Sequence, residues 1–195
     1  MVEFDISYSI TRRNEGGWHG ATGANSADRG GETFKGIARR IWPNWEGWKL
    51  VDMYKEFKDF PRNAVNDPDL AQLVRRFYKR EFWDANRLGD LRSQPIANEM
   101  FDTGVNVGVR QSALWLQRSI NLLNRAQTSW QNISDDGVIG PQTLRTVNFL
   151  NREDSVALFN LLNVMQGAHY VNLARQDPSQ EHFVRGWLQR VELMR

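Results

Sequence analysis

The sequence predicts a mainly α-helical protein, and three observations carry that reading. Apolar residues recur at helical spacing, most clearly Leu70, Leu73, Val74, Phe77 and Tyr78. Proline-led start signals recur at Asp67-Pro68, Pro95 and Pro141. Between the glycine and proline breakers, nearly every remaining segment reads as helix.

Residues 3–14 fit a helix with Phe4, Tyr8, Thr11 and Glu15 on one stripe. The alternation Phe4, Ile6, Tyr8, Ile10 fits a strand equally well. Residues 16–36 are a glycine-rich loop with room for a short irregular hairpin. Gly36 to Trp42 reads as a short helix stopped by Pro43. Trp45 to Lys58 reads as a helix offering Trp48, Val51, Met53 and Tyr54 to the core. Asp67 is expected to cap a helix led by Pro68 and running to about Trp83, with Arg75, Arg76, Lys79 and Arg80 on its wet side. A loop from Ala85 to Gln94 follows, and a domain boundary is placed near residue 93, giving parts 1–93 and 94–195.

Pro95 opens a helix with Ile96, Ala97, Met100 and Phe101 inward, interrupted at Gly104–Gly108. Val109, Ala113, Leu116, Ile120 and Leu123 continue the stripe. Ser134 to Thr143 reads as a turn with an apolar plug, then a proline-started helix. Asp154 or Ser155 is expected to cap the next helix, which carries Leu158, Leu161, Leu162 and Met165. Pro178-Ser179 breaks it, and Phe183, Trp187 and Val191 mark a last amphipathic helix.

At 195 residues the chain is long enough for one good core or two small ones. Hydrophobic residues at 41% and charged residues at 25% fit an ordinary globular protein. Net charge is only +2, and no Lys/Arg block suggests nucleic acid. The absence of cysteine excludes a disulfide framework and thiol catalysis. No stretch is apolar enough to span a membrane. The acidic start Met1-Val2-Glu3-Phe4-Asp5 lacks a secretory signal, so synthesis in the cytoplasm and release by another route are expected. His19, His169 and His182 are too scattered for a zinc site, and Asp135-Asp136-Gly137 lacks calcium-loop spacing. No metal or cofactor is expected, and nucleotide loops are absent.

The chemistry is placed at Asn14-Glu15-Gly16-Gly17-Trp18 and Asp28-Arg29-Gly30-Gly31-Glu32-Thr33-Phe34-Lys35-Gly36-Ile37. The first puts a carboxylate at a helix end with two glycines clearing space around it. The second holds another carboxylate and a hydroxyl on the rim of a glycine opening. These two segments resemble the N-terminal motif of glycoside hydrolase family 108, the N-acetylmuramidases of phage endolysins. Related chains also carry the description "secretion activator". The loop between, His19 to Ala27, is a few residues longer than the family pattern. Three later segments resemble the predicted peptidoglycan-binding module that follows this hydrolase domain. They are Phe101–Gly108, Trp115-Leu116-Gln117 and Asp136-Gly137-Val138-Ile139-Gly140-Pro141-Gln142-Thr143. Gly186–Val191 matches its ending.

The resemblance implies a lysozyme-like helical hydrolase half packed against a helical C-terminal half. It implies cleavage of the β-1,4 bond between N-acetylmuramic acid and N-acetylglucosamine in peptidoglycan glycan strands, the expected partner. Action on the cell wall after release follows from it. Glu15 is the expected general acid, because glycosidic cleavage needs a proton at the leaving oxygen. Apolar neighbours such as Trp18 would raise its pKa enough to hold that proton. Asp28 is the candidate for orienting water or stabilising positive charge, with a plain turn aspartate as the equal alternative. Thr33 is the candidate for holding the nucleophilic water, and the order Glu, Asp, Thr resembles phage-type lysozymes. Glu32 is a rival second carboxylate.

Trp18, Trp48 and Tyr54 are candidates to line a saccharide groove, with core packing the competing role for each. Asn106 is a candidate to face the cleft, and helix punctuation explains it as well. Two other functions fit the same residues: a non-catalytic wall-binding or secretion-associated protein, and a lytic transglycosylase ending in an anhydro sugar.

Overall fold

The computed structural model describes residues 2–12, 17–20 and 31–194. Its described residues are mainly α-helical, with one small sheet. The chain forms two compact units. One comprises Tyr8–Glu81; the other comprises Met1–Ser7 with Phe82–Arg195.

The first helix, α1 (Phe4–Thr11), settles the ambiguity at the N-terminus. Phe4, Ser7 and Thr11 are buried while Ile6 and Ile10 are more than 40% exposed, so the working period is helical rather than alternating. Phe4 then packs edge-on against Trp83 and Phe101 at 5.6 and 5.7 Å.

In the Tyr8–Glu81 unit, β1 (Trp18–His19), β2 (Thr33–Phe34) and β3 (Ile37–Ala38) form an antiparallel sheet in that order. The helix expected over Gly36–Trp42 is therefore corrected to a strand followed by turns. Lys35 and Gly36 both take positive φ, 45° and 79°, which makes a two-residue hairpin turn matched to strand twist. The hairpin buries Phe34 and Ile37 completely, a gain one isolated helical turn cannot match.

Helix α2 (Trp48–Tyr54) is shorter than the expected Trp45–Lys58. Trp48 and Val51 lie inward, but Met53 is 46% exposed because it sits off their shared stripe. Trp45 precedes the helix and packs on Gly47, where a Cβ would collide with the indole. Trp45 also stacks near Phe34 and meets Trp48 and Phe77 edge-on. After a short α3 (Arg62–Val65), α4 (Pro68–Tyr78) begins as the sequence predicts. The Asp67 carboxylate accepts from the Leu70 N–H at 2.6 Å, with Pro68 in the first turn. The helix continues in π form over Lys79–Asp84.

The other unit is built on α5 (Gln94–Val107), α6 (Val109–Leu122) and α8 (Arg152–Gln176), which pack on one another. The expected interruption over Gly104–Gly108 shrinks to Gly108 alone, at φ +102°. Gly104 stays inside α5, buried, with Ser112 of α6 close beside it. Before α7 (Pro141–Phe149), the apolar plug of the turn is Ile139, while Val138 is 65% exposed. The buried Gln117 amide ties that turn down, donating to Asp136 Oδ1 and the Val138 carbonyl and accepting from the Gly137 N–H.

The cap of α8 is Asn151, not Asp154 or Ser155: its side chain accepts from the Asp154 N–H at 2.8 Å. Asp154 instead pairs with Arg125 at 2.8 Å. The expected last helix is a 3-10 turn, Pro178–Phe183, leading into α9 (Val184–Leu188). Neither buries a residue fully; Phe183, Trp187 and Tyr170 form a stacked aromatic row instead.

Candidate functional site

Glu15 and Asp28, the two expected carboxylates, lie outside the described residues. The described residues of the two motif segments lie in the β1–β2–β3 ribbon, and α2 and the cap of α4 hold the other candidates of this unit.

Trp18 pairs with Phe34 across the ribbon, and His19 pairs with Thr33, which in turn pairs with Ala38. Paired residues share a face and successive residues alternate, so Trp18 and Thr33 sit on opposite faces. Thr33 shares its face with the exposed His19, a neighbour that motif reading did not associate with it. Only the register reveals this pairing, because the two residues are far apart in the sequence.

On the other face, the Trp18 indole N–H donates to Glu32 Oε1 at 2.8 Å, and its ring meets Phe60 edge-on at 4.8 Å. Glu32 also pairs with Arg39 at 2.9 Å and with Lys55. Arg39 and Lys55 reach Asp52 at 2.6 and 3.1 Å. Two acids and two bases thus form a closed, neutral network. The Arg39 hydrogen bond holds the Asp52 carboxyl below the usual carboxylate range, and Asp52 raises the Arg39 guanidinium in return. Arg39 also lies over the Trp48 ring at 4.3 Å. Glu32, the rival second carboxylate, is engaged by two cations and an indole, so it fixes Trp18 rather than standing free for proton transfer.

Trp48 is buried in the core, its N–H donating to the Trp42 carbonyl at 2.8 Å. The Tyr54 hydroxyl donates to Asp67 Oδ2 at 2.7 Å. Since Asp67 Oδ1 caps α4, Tyr54 braces that cap. Burial lowers the Lys35 ammonium in the hairpin turn, helped by Arg12 nearby.

Asn106 belongs to the other unit. It is exposed in the last turn of α5 and donates to the Asp102 carbonyl at 2.7 Å and to its carboxylate at 3.2 Å. Asp102 also pairs with Arg190 at 2.6 Å. One turn inward on α5, Glu99 is 7% exposed. Burial, reinforced by Asp102, pushes its carboxyl up to about 7. Thr103 donates to Glu99 Oε1 at 3.1 Å and accepts from Gln166 of α8 at 3.2 Å. Sequence reading passed over Glu99, although Ile96, Glu99, Met100 and Thr103 fall at core spacing and a carboxyl on such a stripe was the available signal. Among the described residues, no group of three His, Asp or Glu is placed to hold a metal ion.

A helical protein of two compact units, one of them carrying a small β-ribbon, defines the class. The family model "Glycosyl hydrolase 108" matches residues 8–108, just over half the chain, and the chain belongs to that family. The model "Predicted Peptidoglycan domain" matches residues 111–192. The first match ends at Gly108, the break between α5 and α6, and the second begins at residue 111. Among solved structures, one described as the structure of Brucella abortus SagA is similar at TM-score 0.60 and 19% identity, over 96% of this chain and 88% of that one. It shows a shared fold. No curated protein matches the chain.

Proposed function

We propose that the protein is a peptidoglycan hydrolase of the N-acetylmuramidase type, with Glu15 as general acid. The observation that carries this is the order of the two family matches, a glycosyl hydrolase over 8–108 followed by a peptidoglycan domain over 111–192. In this reading Glu15 delivers a proton to the glycosidic oxygen as an oxocarbenium-like centre forms. Asp28 stabilises that centre or orients water, and Thr33 holds the water. Trp18, fixed from behind by Glu32 and Phe60, offers a rigid aromatic edge to the saccharide. Tyr54 and Asn106 also contact sugar in this reading, each from its own unit. The place of action is the cell wall.

Digestion of purified peptidoglycan tests the reaction type. The expected products are muropeptides ending in a reducing N-acetylmuramic acid, one water heavier than the anhydro form. Anhydro ends would assign a lytic transglycosylase. Intact sacculi that retain bound protein would assign a non-catalytic binder.

A further inference from the structure

We propose that a cationic groove between the 87–93 loop and α7 binds the carboxylate-bearing stem peptides of peptidoglycan, with Phe149 as its apolar contact. This rests on the wall-hydrolase reading and assigns a recognition site to it.

The groove consists of two adjoining depressions of about 450 and 320 Å³ that share Arg92 and Asn148 in their walls. Those volumes lie in the range of ligand-binding clefts. The walls are held in place by Asn148 and by Arg92, whose guanidinium donates to the Asn148 carbonyl at 3.4 Å. Asn148 accepts from the Arg92 backbone N–H at 2.8 Å and donates to the Asp90 carbonyl at 2.8 Å. The loop and α7 are therefore locked together, and the groove is a built feature.

Its charge is one-sided. Arg87, Arg92, Arg145 and Arg152 line it against the single carboxylate of Asp90, which Arg87 neutralises at 2.7 Å. Among the described residues, Arg145 and Arg152 have no ion pair and both are exposed. Arg152 occupies the first position of α8, where the positive end of the helix disfavours a cation. Glu153 and Asp154 follow it in the same turn, and an anionic ligand would give the exposed Arg152 guanidinium a partner. Phe149 ends α7 beside these arginines and is 80% exposed. Three arginines and an apolar plate match stem peptides, which end in free carboxylates and carry alanine methyl groups. The guanidinium fork binds carboxylate in two-point geometry.

The test is co-sedimentation with purified, polymer-free sacculi on ice, before any clearing. Arg145→Glu/Arg152→Glu should weaken binding roughly 10-fold or more, as expected when attractive charge is reversed at an interface. Removing the Arg152 cation relieves the helix terminus, so the variant should melt no lower than wild type, and a binding loss is then not unfolding. Phe149→Ala should weaken binding roughly 5-fold, from lost apolar contact. Arg118→Glu, a charge reversal beside Asp135, should bind as wild type. Sacculi with amidated carboxyls should bind wild type and the double variant equally weakly.

Undiminished binding by the groove variants, or full wild-type binding to amidated sacculi, would overturn the inference. If wild type still released muropeptides in either case, the hydrolase reading would stand. Wild type that neither bound nor cut sacculi would remove both.

Discussion

At the scale of single residues, Glu32 shows how partners can tie up a carboxylate. Glu32 sits in the same short motif as Asp28 and Thr33, and sequence alone offered it as a rival acid. Its two cations and the Trp18 indole give it a supporting role. Glu32→Ala should therefore lower stability by about 1–3 kcal/mol, because it strands charges and an indole N–H that are partly buried. Chemical denaturation measures this directly. Its turnover on peptidoglycan, corrected for folded fraction, should stay within about 10-fold of wild type, the scale of a mispositioned contact rather than a lost proton donor. A loss as deep as that of Glu15→Gln would return Glu32 to the chemistry. The network was hidden in the sequence because Arg39, Asp52 and Lys55 meet Glu32 only after the hairpin and α2 are folded. Trp18 is a site candidate from its place after Gly16-Gly17, and its contacts with Glu32 and Phe60 are not readable there.

At the scale of elements, legibility followed the strength of local signals. Asp67-Pro68 and Pro141 mark helix starts where cap and turn chemistry are local, and the structure starts α4 and α7 there. Gly36–Trp42 misled because a lone helical turn and a two-residue hairpin carry similar apolar residues. The decision lies in Lys35 and Gly36 adopting positive φ and in the burial of Phe34 and Ile37. Gly104 misled in the opposite way: a glycine that reads as a break is a close-packing position inside α5. The α4 cap makes a quantitative case. Asp67 uses one oxygen for the Leu70 N–H and the other for the Tyr54 hydroxyl. Asp67→Ala should cost about 1–2 kcal/mol, combining a lost cap with a lost hydrogen bond. Tyr54→Phe should cost less, because the cap remains. Thermal melts of the two variants check the order, and equal losses would show that the cap bond contributes nothing.

For the molecule as a whole, the two family matches in sequence order define the protein more strongly than any one motif. The helical class was readable from periodicity, and the order of the two family segments from resemblance. The buried acid of the Phe82–Arg195 unit was not. Glu99 is ordinarily a carboxyl of pKa 4.5, and the fold raises it to about 7. Asp102 and Glu192 oppose its charge, while Thr103 and Asn163 favour it; Asp102 is itself paired with Arg190. A group whose folded pKa is raised binds its proton more tightly when folded. Its contribution is complete below about pH 4.5, declines as pH rises through 7, and is lost above. The shift corresponds to roughly 3 kcal/mol between the two ends of that window. Glu99→Gln should flatten this part of the stability profile and make the variant the more stable form at pH 8. Urea denaturation at pH 5 and pH 8 reads both slopes, and parallel profiles would contradict the assignment.

In the proposed reaction Glu15 donates the proton that breaks the glycan. Release of reducing ends from purified peptidoglycan, compared between wild type and Glu15→Gln at equal folded concentration, tests it most directly. The account predicts a loss of at least about 100-fold, the usual contribution of a positioned general acid. A variant that releases reducing ends at the wild-type rate would contradict it.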